Sequence, residues 1–213
     1  MKKRKFLFIA GLLLMTGISL LFICQQKSDK EEQENSYCLT SDEKQILQEG
    51  DIILRHGFGL ISDAIIRCLH EKYPVSHCGI IVKDTLGELS VIHTVSNTLA
   101  VIDGMQKDYL DVFVKGSYPN SVIVTRYKYE NDTLQKKIAE QANYYLLKQI
   151  RFDHQFDCSD STAFFCTEFV WNVFKNAIHV DLCDSSAERS SQCMNFSTFL
   201  NPSRFTIILN HHQ

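Results

Sequence analysis

An α+β fold, a mainly antiparallel sheet flanked by helices, is what this sequence predicts, and three observations predict it. Short β-branched apolar runs joined by hairpin chemistry fill the middle of the chain. Two longer stretches of helical apolar period follow them. The composition, 45% hydrophobic and 22% charged, suits a globular protein with enough apolar mass for one sizeable core.

The chain opens with four cations, Lys2, Lys3, Arg4 and Lys5, and then eighteen uncharged residues, Phe6 to Ile23, rich in Leu, Ile and Phe. That run exceeds the usual apolar core of a secretory signal, about 7–15 residues, and just reaches the length of a tilted membrane span. Residues 1–24 are therefore expected to be a signal peptide or membrane anchor. Cys24 ends the run with Leu21 three places before it, as a lipidation signal requires, although bulky Ile23 stands where a small residue is expected. Because the cations precede the run, the rest of the chain is expected beyond the inner membrane, exported to the cell envelope. Residues 25–41 are mostly charged and amide side chains with little to bury. They read as a flexible polar tether, with the folded domain over 42–213.

Thr40 and Glu43 have capping-box spacing for a short helix reaching Gln48, and Gly50 then releases the chain into a strand, Asp51–Arg55. Ile61, Ile65, Cys68 and Leu69 form a helical stripe, predicting a helix near 61–70 that ends before Pro74. Strands are predicted at His77–Val82 and Leu89–Val95, joined across Asp84-Thr85-Leu86-Gly87, and further strands at Leu99–Ile102 and Val122–Tyr127. Asn131 and Asp132 cap a helix in which Leu134, Ile138, Ala142, Tyr145 and Leu146 recur, up to about Lys148. A second helix follows Ser161 and Thr162, and its Phe165, Phe169, Val170, Val173, Phe174 and Ala177 bury more than one of its faces. A small helix at Phe196–Leu200 and a strand at Phe205–Leu209 close the chain.

Beyond the first four cations, 18 Lys and Arg stand against 25 Asp and Glu, a net charge of −7 with no basic stripe, which excludes nucleic acid as a partner. The eight cysteines form no CxxC pair and no His-x-x-x-His occurs before the tail, so no structural zinc is expected. Disulfides are optional for a chain with this much apolar core; the pair placed to form one is Cys183 and Cys193, which flank the Ser-rich stretch Ser185–Ser191, and His211 and His212 are expected to be solvated.

Cys166 is placed differently from the other cysteines, near the start of the buried helix. Helix amino termini and neighbouring histidines lower a thiol pKa from about 8.5 to roughly 3.5–7.5. On periodicity alone it is a small buried hydrophobe. His77 opens an apolar strand and His93 lies inside the next, and singly each reads as a sheet histidine satisfied by the backbone. Together, one cysteine at a helix start and two histidines on adjacent strands supply what thiol catalysis needs: nucleophile, base and a group that orients the base.

Three segments carry a resemblance: Gly50-Asp51-Ile52-Ile53-Leu54-Arg55, Ser76-His77-Cys78-Gly79-Ile80-Ile81 and Phe165-Cys166-Thr167-Glu168-Phe169-Val170. In that order they resemble the signatures of the YiiX-like cysteine hydrolases. These are circularly permuted relatives of NlpC-type cell-wall peptidases, within the papain-like superfamily that also holds lecithin retinol acyltransferase. The histidine precedes the cysteine, as permutation requires. The resemblance covers roughly Glu49 to Ala177 and implies a permuted papain-like fold. It makes Cys166 the nucleophile, His77 the base and His93 the third polar residue, where YiiX-like proteins often hold Glu. Arg151-Phe152-Asp153-His154-Gln155-Phe156 also resembles a family segment, without an assigned role. Glu168 belongs to the third motif; without it, a helix-surface salt bridge is its expected use. The implied reaction is hydrolysis of an amide through an acyl-enzyme, without metal or organic cofactor. Peptidoglycan peptides are the expected substrate, with lipid acyl-amides and acyl transfer as the alternative. A catalytically silent envelope protein that binds a peptide or lipid in the same cleft is the rival from another class.

Overall fold

The computed structural model describes residues 2–129, 131–159, 161–183 and 195–212, with side chains from Thr16 onward. Helix α1 (Lys2–Glu34) continues through the first half of the stretch read as a tether. Lys27–Glu31 and Lys30–Glu34 ion pairs at i,i+4 spacing, 3.5 and 3.7 Å, favour that continuation by tenths of a kcal/mol at most. Contact with the body contributes too: Ser28 is buried, and Asn35 Nδ2 donates to the carbonyls of Lys115 and Ser117 at 2.6 and 2.8 Å. Among the described residues no helix is long and apolar enough to cross a membrane.

Helix α2 (Ser41–Gln45) begins with the expected capping box, in which Glu43 N–H donates to Thr40 Oγ1 and Thr40 N–H to Glu43 Oε2. The chain then builds β1 (Ile52–Arg55), α3 (Leu60–Leu69), β2 (His77–Lys83), β3 (Leu89–Val95), β4 (Gly104–Tyr109), α4 (Leu110–Lys115) and β5 (Ile123–Tyr127). It continues through α5 (Asp132–Leu147), β6 (Arg151–Phe152), β7 (Ala163–Phe164), α6 (Cys166–Ile178), a 3₁₀ turn (Phe196–Leu200) and β8 (Phe205–Asn210). Six strands form one sheet in the order β4-β3-β2-β1-β5-β8, with every neighbouring pair antiparallel. The fold is therefore α+β, as the sequence predicts.

The central strands alternate between two apolar layers, which is why they read as unbroken hydrophobic runs. Leu54, Cys78, Ile80, Val82 and Ile92 face α5 and α6, meeting Ile138, Ala142, Phe169, Val173 and Phe174. Ile53, Ile81, Val91 and Val124 face the other way, toward Phe113 and Val114 of α4 and toward Leu39 and Leu47. Leu39 is 3% exposed, so the core takes in a residue upstream of Asp42.

Three elements differ from the sequence expectation. Leu99–Ile102 is a turn, not a strand, and Leu99, Val101 and Ile102 lie exposed in a loop closed by Asn97 N–H donating to Asp103 Oδ1 at 2.9 Å. The strand starts instead at Gly104, whose φ of +110° suits glycine, and where a Cβ would lie 2.3 Å from the Ile150 carbonyl. Helix α4, too short for its period to register, was not expected. Helix α6 starts at Cys166 rather than behind Ser161 and Thr162, because Ala163 and Phe164 are drawn into parallel pairing with Arg151 and Phe152. Nor is His211 solvated: its ring bonds Tyr37 Oη and, at 2.8 Å, Glu43 Oε1, since β8 carries the carboxyl end beside α2. Cys193 and Ser185–Ser191 lie outside the described residues, and with them the expected Cys183–Cys193 bond.

Candidate active site

His77 is the first residue of β2, paired with Arg55 of β1. Two residues on, Gly79 leaves the space that β3 fills with His93: a Cβ at Gly79 would lie 2.6 Å from Val91 Cγ1 and 3.0 Å from His93 Cβ. The two rings therefore meet. His77 Nε2 is 2.9 Å from His93 Nδ1, with the rings edge to face at 5.0 Å between centroids. His93 Nε2 in turn lies 3.1 Å from Asp108 Oδ2 on β4. Gln106 is the register partner of His93, and Asp108, two residues further, shares its face. Phe113 of α4 packs against both rings, at 5.8 Å from His77 and 5.2 Å from His93, and carries the Arg55 guanidinium 4.1 Å above its own ring.

The electrostatics follow from burial. Burial, followed by the positive field of His93 and Arg55, holds His77 well below the usual imidazole range. His93 is lowered too, chiefly by burial, against the upward pull of its bond to Asp108. The Asp108 carboxyl is held below its ordinary value, first by that same bond. Both rings are thus neutral near pH 7 beside an ionised carboxylate. Burial also pushes Arg55 down to about 10.

Cys166 is set from the other side of the sheet end. Parallel pairing of β6 with β7 leads into α6, and Asp153, buried, folds the connecting loop by accepting the N–H groups of Gln155 and Asp157 at 2.8 and 2.6 Å. This gives the Arg151–Phe156 segment a structural use. Thr94, the residue after His93, donates its hydroxyl to the Phe164 carbonyl at 3.2 Å, tying β3 to the segment just before the cysteine. Glu168 is fully buried rather than on the helix surface, and its Oε2 accepts the Phe165 N–H at 3.3 Å, capping the first turn.

Cys166, half-buried, is the first residue of that helix. A hydrogen bond from the Cys78 thiol is the main influence lowering its pKa, against burial; the backbone amides of Cys78, Thr167 and Cys166 act in the same direction. The Cys78 thiol is itself pushed far up by burial and by this neighbour. The structure thus bonds His77 directly to His93, whereas Cys166 meets the same two strands one residue beyond each, through Cys78 and, by way of Phe164, through Thr94, and so lies on the opposite face of the sheet from the two rings. Asp108 is absent from the sequence reading because that reading put the strand at 99–102, five residues early. A strand over Gly104–Tyr109 puts Asp108 on the face of His93. Among the described residues, no group of three or more His, Cys, Asp or Glu side chains is arranged to hold a metal ion.

A family model described as "Permuted papain-like amidase enzyme, YaeF/YiiX, C92 family" matches residues 46–193. A solved structure, described as that of metalloprotein yiiX from Escherichia coli O157:H7, superposes with a TM-score of 0.60 at 21% identity, over 76% of this chain and 97% of that one. At that identity the likeness speaks for the fold, a permuted papain-like one. No curated protein matches the chain.

Proposed function

The chain belongs to the permuted papain-like amidases of the YaeF/YiiX family, and on that premise we propose that it is an exported cysteine hydrolase that opens amide bonds in cell-wall peptides. At family level the membership implies cysteine hydrolase chemistry; the residues, substrate and location are our reading. One observation carries it: a thiol at the first residue of a helix, lowered by hydrogen bonds, bonded to the residue that follows a histidine relay.

In this reading Cys166, favoured as a thiolate by the Cys78 thiol and the helix-start amides, gives its proton to solvent water and attacks the amide carbonyl. The carbonyl π electrons move to oxygen, and the backbone amides that already favour a charged sulfur receive the oxyanion. As the tetrahedral intermediate collapses, the C–N bond breaks and the amine leaves with a proton from water. A second water then attacks the thioester carbonyl, the C–S bond breaks, and the acid departs as a proton returns to the sulfur. His77 and His93, bonded to each other on the opposite face, hold together the two strands whose next residues, Cys78 and Thr94, reach the thiol and the segment before it. Export rests on Lys2, Lys3, Arg4 and Lys5 preceding the apolar run, with membrane attachment through that run.

The test is Cys166→Ser assayed on muropeptides and on lipid acyl-amides. Hydrolysis falls by several orders of magnitude, because hydrogen bonds that favour a thiolate cannot ionise a hydroxyl appreciably. The melting temperature moves little, since the half-buried hydroxyl can find water. A destabilised but fully active variant overturns the nucleophile assignment; turnover of lipid amides alone moves the substrate class.

A further inference from the structure

We propose that Cys166 is an oxidation site resolved by Cys78: hydrogen peroxide closes the two thiols into a disulfide, and a thiol reductant reopens them. The effect of that bond on turnover rests on the hydrolase reading; its chemistry does not. Both cysteines are free thiols in the apolar layer under α5 and α6. Ile80 pairs with Ile92, so Cys78 and Thr94, two residues further along their antiparallel strands, share one face of the sheet. Thr94 donates its hydroxyl to the Phe164 carbonyl at 3.2 Å, which anchors the chain two residues before Cys166. Cys166 then opens α6, whose Phe169 and Val173 pack on the same layer. The Cys166 sulfur is thereby held against both ends of Cys78, accepting hydrogen bonds from its thiol and its backbone amide. Two sulfurs in such contact, with the backbone of one beside the other, need only small side-chain rotations to bond.

The two thiols are unequal, and that sets the order of events. Cys166 is half-buried and favoured as a thiolate, whereas Cys78 is fully buried and its thiol is pushed far up. Peroxide therefore meets Cys166 first. The thiolate attacks one peroxide oxygen, the O–O bond breaks, and hydroxide leaves to take up the proton that the thiol had given to solvent. Cys166 becomes a sulfenic acid, having lost two electrons to the peroxide. The Cys78 sulfur next attacks the Cys166 sulfur, the S–O bond breaks, and the Cys78 proton departs with the hydroxide as water. Two thiols and one peroxide thus give one disulfide and two waters, and a dithiol reverses the bond by exchange, becoming a disulfide itself. Without Cys78 the sulfenic acid has no adjacent thiol to capture it. A second peroxide then carries it to the sulfinic acid, which thiols do not reduce. Cys158 and Cys183, buried in the same layer, are the competing partners.

The experiment titrates the reduced full-length chain with hydrogen peroxide near pH 7 until Cys166 no longer reacts with iodoacetamide, removes the peroxide with catalase, and maps the peptides by mass without reductant. The wild type is expected to yield a linked peptide pair joining Cys78 to Cys166. Dithiothreitol should then restore both the iodoacetamide labelling of Cys166 and the turnover of muropeptides. Cys78→Val should instead accumulate Cys166 as the sulfinic acid, and dithiothreitol should restore neither. These readouts are end products, so slower ionisation of Cys166 in that variant does not alter them. Cys78→Ala replaces Cys78→Val if that variant does not fold, and the wild-type map needs no variant. A Cys166 that resists peroxide, bonds Cys158 or Cys183, or passes to the sulfinic acid in the wild type overturns the proposal. So does a Cys78→Val chain that dithiothreitol restores. If the Cys78–Cys166 bond forms and reopens while Cys166→Ser still hydrolyses, the hydrolase reading falls and the oxidation site stands.

Discussion

Two adjacent residues of β2 divide the chemistry: His77 joins the relay on one face of the sheet, and Cys78 reaches the Cys166 thiol on the other. The Cys78 hydrogen bond stabilises the charged form of Cys166, so its removal raises the pKa of that thiol toward the ordinary range. Cys78→Val keeps an apolar group of similar size in a fully buried place. The midpoint of the pH–alkylation curve of Cys166 should move upward, with the rate at pH 7 falling roughly tenfold, the effect of one pKa unit. An unshifted curve would assign the lowering to the helix start alone. The backbone amides remain in this variant, so reactivity is weakened rather than abolished.

At the scale of the element, what holds the relay is the closeness of β2 to β3. Gly79 lets β3 approach, and its replacement by Ala would put a Cβ 2.7 Å from the Ile92 carbonyl and 3.0 Å from His93 Cβ, which are backbone and sheet atoms that cannot swing aside. Gly79→Ala should cost about 1–3 kcal/mol of stability as overpacking. It should also lower activity by displacing the two strands that carry Cys78 and Thr94 toward Cys166, an effect read by denaturant unfolding and turnover on the same sample. Stability lost without activity would mean that the thiol site tolerates displacement of these strands. Helix α6 shows the same dependence on a neighbour. Its start is set by β6 pairing with β7, which holds Ala163 and Phe164 extended and makes Cys166 the first helical residue.

For the molecule as a whole, burying two neutral histidines ties stability to pH. Both folded-state pKa values lie below the unfolded value of 6.5, so the unfolded chain binds protons first as pH falls. Stability is therefore full above about 6.5 and declines below it, and Asp108, also lowered, adds to the loss at more acidic pH. Asp51 is raised by burial and works in the opposite direction. Urea unfolding at pH 7 and pH 5 should show this decline, and His77→Gln should make it shallower; an equal slope in that variant would locate the acid sensitivity elsewhere. The amino-terminal segment makes a separate prediction. A chain starting at Asn35 keeps the Asn35 bonds to Lys115 and Ser117, whereas one starting at Asp42 loses Leu39 from the core and the Thr40 cap. The shorter chain should be less stable by about 1.5–3 kcal/mol for the leucine and about 1 kcal/mol for the cap, as thermal melts of the two would show.

The sequence by itself determined the α+β class and the hairpin of β2 and β3. It also determined the capped helices α2 and α5 and the three residues, Cys166, His77 and His93, that stand on adjoining elements. These were legible because capping chemistry, turn residues and apolar period act over a few residues, and because three short motifs keep their order along the chain. Only the tertiary structure decided that β4 starts at Gly104, where the Ile150 carbonyl leaves no room for a side chain. It likewise decided that Cys166 is the first residue of its helix, that His211 is bonded to Glu43, and that Cys78 touches the candidate nucleophile. Asp108 belongs with these. Its place beside His93 depends on strand register, and a two-residue periodicity cannot fix a register until the turn before the strand is known.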